Sequence, residues 1–183
     1  MKKFLVAALI LGMTGVGAAI AAELESGLQP GDAPPAFNVR DVTGPKAGKT
    51  LCYRCMYGPR PVVSIFARDI DENVTNLIKD IDQQVGANED KKMAAFVVLL
   101  TDDPDAAESK LAEVAKKNGI KNVPLTVYDG SAGPSSYKIS KDADVTVMMW
   151  NESDVKVNHA FSKGGLKKDD VKKVSSETTK ILE

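Results

Sequence analysis

The segment Cys52-Tyr53-Arg54-Cys55-Met56-Tyr57-Gly58-Pro59-Arg60-Pro61-Val62-Val63-Ser64-Ile65-Phe66-Ala67 places a Cys-x-x-Cys pair ahead of an apolar run rather than behind it. Pro61–Ala67 is continuous and uncharged, as expected of a strand covered on both faces. Gly58-Pro59 makes the turn that separates it from the cysteines. Thiols are activated where a helix N-terminus stabilises the thiolate. The residues after this strand, Arg68-Asp69-Ile70-Asp71-Glu72-Asn73, contain no cysteine. Their carboxylates favour a helix start but would repel a thiolate.

Downstream, Val74, Leu77, Ile78, Ile81 and Val85 form the apolar stripe of a packed helix, with Asp69 and Glu72 spaced as a capping box. Met93–Leu100 reads as a second buried strand. A helix then runs from Asp103-Pro104 to Asn118-Gly119, with acid at the cap and proline in the first turn. Leu125–Tyr128, Val145–Trp150 and Val155–Phe161 are further strands, the last two joined by a hairpin turn at Asn151–Asp154. A final amphipathic helix spans about 169–182. Upstream, a polar, proline-bearing lead-in covers residues 23–35. Phe37–Val42 alternates as a half-buried strand, and Lys49–Tyr53 pairs back on it. The order β, β, β, α, β, α, β, β, β, α predicts a three-layer α/β sandwich.

The first 22 residues read as a secretory signal: Lys2 and Lys3, an apolar core from Phe4 to Met13, then the Ala19-Ile20-Ala21 cleavage pattern. The expectation is a domain over 23–183, exported to the periplasm or the medium without a stable membrane anchor. Of the 24 basic and 25 acidic residues, removing Lys2 and Lys3 leaves a net charge near −3. That balance gives no basis for nucleic-acid binding. About 160 residues can build a core without a disulfide. Two cysteines three residues apart in an exported chain are expected to be oxidised to one another.

Two stretches carry a family likeness. Pro30-Gly31-Asp32-Ala33-Pro34-Pro35-Ala36-Phe37 resembles the "PGxxxPxF" start of the first hairpin in peroxiredoxin-like members of the thioredoxin-fold superfamily. Gly119–Tyr128 resembles the stretch that carries their cis-proline ahead of an antiparallel strand. The resemblance implies a thioredoxin-like sandwich with a mixed central sheet, an N-terminal hairpin extension, and a cis Val123–Pro124 bond. The chain departs from the pattern after Ala67, where neither Trp-Cys-x-x-Cys nor Thr-x-x-Cys is present. Pro124 is therefore carried over as a fold marker only. On that arrangement the cysteines lie at the opposite pole from Pro124, about 15–25 Å away.

Cys52 and Cys55 are the candidate redox pair. Arg54 is placed to stabilise a thiolate, and Tyr53, Tyr57, Arg54 and Arg60 flank the cysteines either as an exposed recognition patch or, as the simpler reading, as the lining of a polar turn. The alternatives are a structural disulfide in a non-catalytic binding module, or soft-metal capture by the two thiolates with Met56 and His159. Two cysteines are an incomplete zinc set, and no cofactor motif is present. His159 reads first as a sheet residue in register with Val157 and Phe161. The partner class implied is a protein thiol or disulfide. Which cysteine attacks first, and the oligomeric state, do not follow from the sequence.

Overall fold

The computed structural model describes residues 24–183, so the signal-peptide expectation for 1–22 lies outside the described residues. The strands are β1 (Val39–Asp41), β2 (Thr50–Leu51), β3 (Val62–Ala67), β4 (Ala94–Thr101), β5 (Leu125–Asp129), β6 (Val145–Asn151) and β7 (Asp154–Phe161). The helices are α1 (Tyr53–Tyr57), α2 (Glu72–Ala87), α3 (Pro104–Asn118), α4 (Lys168–Ser176) and α5 (Thr179–Leu182), with a 3-10 turn at Ser135–Tyr137. They build one mixed sheet in the order β2-β1-β5-β4-β3-β6-β7.

Strands β3, β4 and β5 run parallel, joined through α2 and α3. Both crossovers step the same way across the sheet, and right-handed connection then puts both helices on one face. Val63, Ile65, Ala95, Val97 and Leu99 bury on that face against Leu77, Ile78, Ile81, Leu111, Val171 and Val174. The alternate residues Val62, Phe66, Phe96 and Val98 face the other way, where no long helix lies. There the cover is α1, the lead-in and the 3-10 turn, through Tyr53, Leu28, Phe37 and Tyr137. Tyr137 and Phe37 pack edge to face at 4.6 Å. The lead-in is stitched down by Ser26 Oγ–Thr146 Oγ1 at 2.7 Å and by Asn158 Nδ2 donating to the carbonyls of Ser26 and Leu28.

Three expectations shift. Asp71, not Asp69, caps α2, its carboxyl accepting the Val74 N–H at 2.8 Å. The last helix breaks in two at Glu177–Thr178. Most consequentially, β5 is parallel to β4 and antiparallel only to β1. A short apolar strand carries no mark of its direction. The six residues between the end of α3 and β5 suffice only to return the chain beside β4.

Candidate functional site

No catalytic cysteine was expected at the C-terminal end of β3, and Arg68 occupies the turn there. Ala67 pairs with Val145, so the loop entering antiparallel β6 is Ala143-Asp144, without a proline. Arg68 fills the gap, its Nε donating to Ala143 O at 2.9 Å, Nη2 to Ser140 O at 3.1 Å, and Nη1 to Ser131 O. Asp69 pairs with Lys110 Nζ at 2.6 Å. That hydrogen bond holds the Asp69 carboxyl below the usual aspartate range despite partial burial.

The Val123–Pro124 bond is trans, as are all peptide bonds among the described residues, so the cis expectation is corrected. The local reason is Asp82. Its buried Oδ1 accepts the N–H groups of Lys121, Asn122 and Val123 at 3.0, 2.6 and 3.0 Å, closing the turn by a side chain. The chain then runs straight into β5, and Pro124 O accepts Val97 N–H. Because β3 and β5 are parallel, Pro124 and Pro61 sit at the same pole of the sheet. Pro124 lines one groove with Met56, the residue after Cys55, so the expected placement of proline and cysteines at opposite poles is corrected. It is the proline, not the cysteine pair, that lies elsewhere than the resemblance implied.

The cysteines occupy α1, a helix that periodicity did not reveal because five residues are too few to show one. Cys52 is its N-cap, and Cys52–Cys55 form a disulfide with Cα atoms 5.2 Å apart. Cys55 is exposed and Cys52 half-buried. Cys55 N–H points at Cys52 Sγ across 3.0 Å. The pair thus opens a short helix, and the strand expected over Lys49–Tyr53 is limited to Thr50–Leu51.

What anchors α1 is Tyr53. Its ring is 1% exposed and stacks on Phe96 at 5.7 Å, and its hydroxyl donates to Asp41 Oδ2 at 2.8 Å. Burial, with Asp41 adding to it, raises the Tyr53 pKa far above the ordinary phenol value. Asp41 also accepts Gly44 N–H and Lys46 N–H, so one carboxylate ties the first hairpin to α1. Gly44 is required there, since a Cβ would collide with Tyr53 Oη and both Asp41 oxygens.

Arg54 is committed away from the sulfurs. Its Nε donates to Pro34 O at 2.8 Å and Nη2 to Ser153 Oγ at 2.9 Å, clamping the lead-in to the β6–β7 turn. Arg60 lies over the Tyr57 ring at 5.2 Å and donates to Lys92 O and Met93 O. Of the two readings of Tyr53, Tyr57, Arg54 and Arg60, these contacts favour the lining of a polar turn over a recognition patch. The exposed side chains are Cys55 and Met56, the latter 43% exposed. Next to Met56 opens a groove of about 530 Å³ that reaches Pro124.

His159 is not brought to the cysteines. It shares a 2.6 Å hydrogen bond with Glu177, and no three His, Cys, Asp or Glu side chains gather into a metal site among the described residues. With the sulfurs bonded to each other, the soft-metal set of Cys52, Cys55, Met56 and His159 is not assembled.

No known family's sequence profile matches this chain, and no curated protein does. Solved structures do match in fold. A candidate thiol:disulfide interchange protein DsbE from Chlorobium tepidum is 15% identical, with TM-score 0.66 over 85% of this chain and 99% of that one. The thioredoxin domain of a thiol-disulfide oxidoreductase from Bacteroides vulgatus is 14% identical, with TM-score 0.60 over 82% and 97%. Peroxidoxin BcpB from Mycobacterium tuberculosis is 14% identical, with TM-score 0.60 over 85% and 99%. The fold is thioredoxin-like, as the first-hairpin motif implied.

Proposed function

We propose that Cys52 and Cys55 form a dithiol–disulfide couple that exchanges with a protein thiol, at a pole of its own. The observation that carries this is the contrast between the two sulfurs: Cys55 is exposed and Cys52 is half-buried under a backbone N–H donor. An incoming thiolate attacks Cys55 Sγ, the Cys52–Cys55 bond breaks, and Cys52 leaves as a thiolate facing the Cys55 N–H. A second partner thiolate then attacks the partner's own sulfur in the mixed disulfide and releases Cys55. The partner loses two electrons and two protons and becomes a disulfide, while the Cys52/Cys55 pair gains both and becomes two thiols. In the reverse direction Cys55 attacks a partner disulfide and Cys52 resolves it. Thiol–disulfide proteins among the fold neighbours support the reading. The exported compartment expected from residues 1–22, where disulfides persist, supports it further.

The test is the midpoint potential in glutathione or dithiothreitol redox buffers. A value above about −300 mV is expected of an exchange-active pair. A lower value would assign Cys52–Cys55 to the second reading, a structural disulfide in a binding module. That reading has one observation in its favour: Arg54 uses α1 as a clamp between Pro34 and Ser153.

A further inference from the structure

We propose that the groove beside the disulfide binds an extended, acidic segment flanking the partner's cysteine. This rests on the exchange reading of Cys52–Cys55 and names the substrate class for it. The groove has three walls: the turn at Thr43–Pro45, the end of α1 with Arg60, and the turn at Lys121–Pro124. Each wall is fixed from within. Asp41 holds the first through Gly44 and Lys46 N–H, and Asp82 holds the third through Lys121, Asn122 and Val123 N–H. Thr43 Oγ1 accepts Leu125 N–H at 2.9 Å and joins those two walls. Tyr57 Oη donates to Ala95 O and braces the second. A site built in advance spends little of its binding free energy on ordering itself.

Position assigns the occupant to the disulfide chemistry. Met56 follows Cys55 directly and is the exposed large hydrophobic among the described residues. Met56 also lines the groove, so a chain lying in the groove touches the residue next to the exposed Cys55. Extended backbone fits such an open cleft, with apolar contact on Met56 and Pro45.

Charge assigns the partner's sign. The charged side chains on the walls are Arg60 and Lys121, and neither is in an ion pair among the described residues. Arg60 donates only to the neutral carbonyls of Lys92 and Met93, which leaves its charge uncompensated. The carboxylates of Asp41 and Asp82 are buried behind the walls and turned to their own neutral donors. They keep their charge but do not line the groove, whereas Arg60 and Lys121 do. A peptide bearing Asp or Glu beside its cysteine is therefore favoured over one bearing Lys or Arg.

The test uses the protein with its disulfide formed and fluorescent peptides in which serine replaces the central cysteine, flanked by Glu or by Lys. Anisotropy titration should show the Glu peptide binding about 10-fold tighter at low salt, a preference that fades as the Debye length shortens. Lys121→Glu should abolish or reverse it. Lys163→Glu, a reversal at the pole occupied by Asp69, should keep it. Equal binding of the two peptides, or a preference that survives Lys121→Glu, overturns the groove assignment. Dithiothreitol reduction of Cys52–Cys55 is followed separately. Ready exchange without peptide preference would leave the couple standing and reject the groove. Peptide preference on a disulfide that does not exchange would reject the cysteine-bearing partner.

Discussion

Tyr53 Oη donates a 2.8 Å hydrogen bond to Oδ2 of Asp41, and both residues are 1% exposed. One residue follows the cysteine that caps α1 and the other lies in β1, so the bond fixes the redox-capable helix to the sheet. The aromatic stack of Tyr53 on Phe96 places the ring, and the Asp41 carboxylate orients it.

Tyr53→Phe should keep the stack and lose the bond. Removing a buried hydrogen bond to a charged acceptor costs about 1.5–3 kcal/mol, read as a lower urea midpoint at unchanged slope. Gly44→Ala should cost at least as much, because its Cβ displaces the same pair. A neutral Tyr53→Phe would mean that the stack alone holds α1.

Asp82→Asn replaces an acceptor of three backbone N–H groups with an amide that accepts more weakly. A loss of about 2–3 kcal/mol is expected. Faster amide hydrogen exchange at Lys121–Val123 should accompany it, localising the damage to that turn.

Single-cysteine variants should separate the two sulfurs. With Cys52→Ser, the exposed Cys55 should trap a mixed disulfide with a thiol-bearing partner. With Cys55→Ser, the half-buried Cys52 should trap it at least ~10-fold more slowly. Mass spectrometry of the trapped species reads the ratio, and equal trapping would contradict Cys55 as the sulfur attacked.

Replacing both cysteines with serine should cost no more than about 2 kcal/mol and leave the fold intact. A loop of about four residues removes only ~2 kcal/mol of unfolded-chain entropy by the loop-closure relation. The variant should stay folded by circular dichroism. Unfolding would show that α1 depends on the crosslink rather than on Tyr53.

Acid should destabilise the protein below the ordinary carboxylate range. Glu177 is raised by partial burial, but hydrogen bonds to His159 and Lys180 outweigh this and leave its pKa lowered. Asp69 is lowered by Lys110. A depressed folded value contributes stability that is present above the unfolded values near ~4 and lost as pH falls through the folded ones. Asp144 has the opposite sign, raised by burial and by nearby Asp69, so Asp144→Asn should stabilise at neutral pH. Thermal melts from pH 7 to 2 should show the loss beginning below about pH 4.5, with Glu177→Gln weakening its pH dependence.

Much of this was legible along the chain. Pro61–Ala67 and Met93–Leu100 announced the two central strands, because a strand buried on both faces needs an unbroken apolar run. Asp103-Pro104 and Gly119 marked both ends of α3, since capping depends on residues a few positions apart. The order of elements and the Pro30–Phe37 motif together pointed to the thioredoxin-like sheet. Two cysteines three residues apart pointed to the disulfide.

The tertiary structure decided what depends on direction and on distant partners. Leu125–Tyr128 is apolar whichever way it runs, and only pairing between β4 and β1 makes it parallel to β3. That pairing moved Pro124 to the cysteine pole. Five residues cannot display a helical period, so α1 exists through Tyr53 reaching Phe96 and Asp41, partners 43 and 12 positions away. Arg54 and Arg68 looked alike as charges, yet one clamps Pro34 to Ser153 and the other ties the turns of the opposite pole together. Local pattern determines which segments bury and how they end. Which end of the sheet a side chain reaches is set by contacts between residues far apart in the chain.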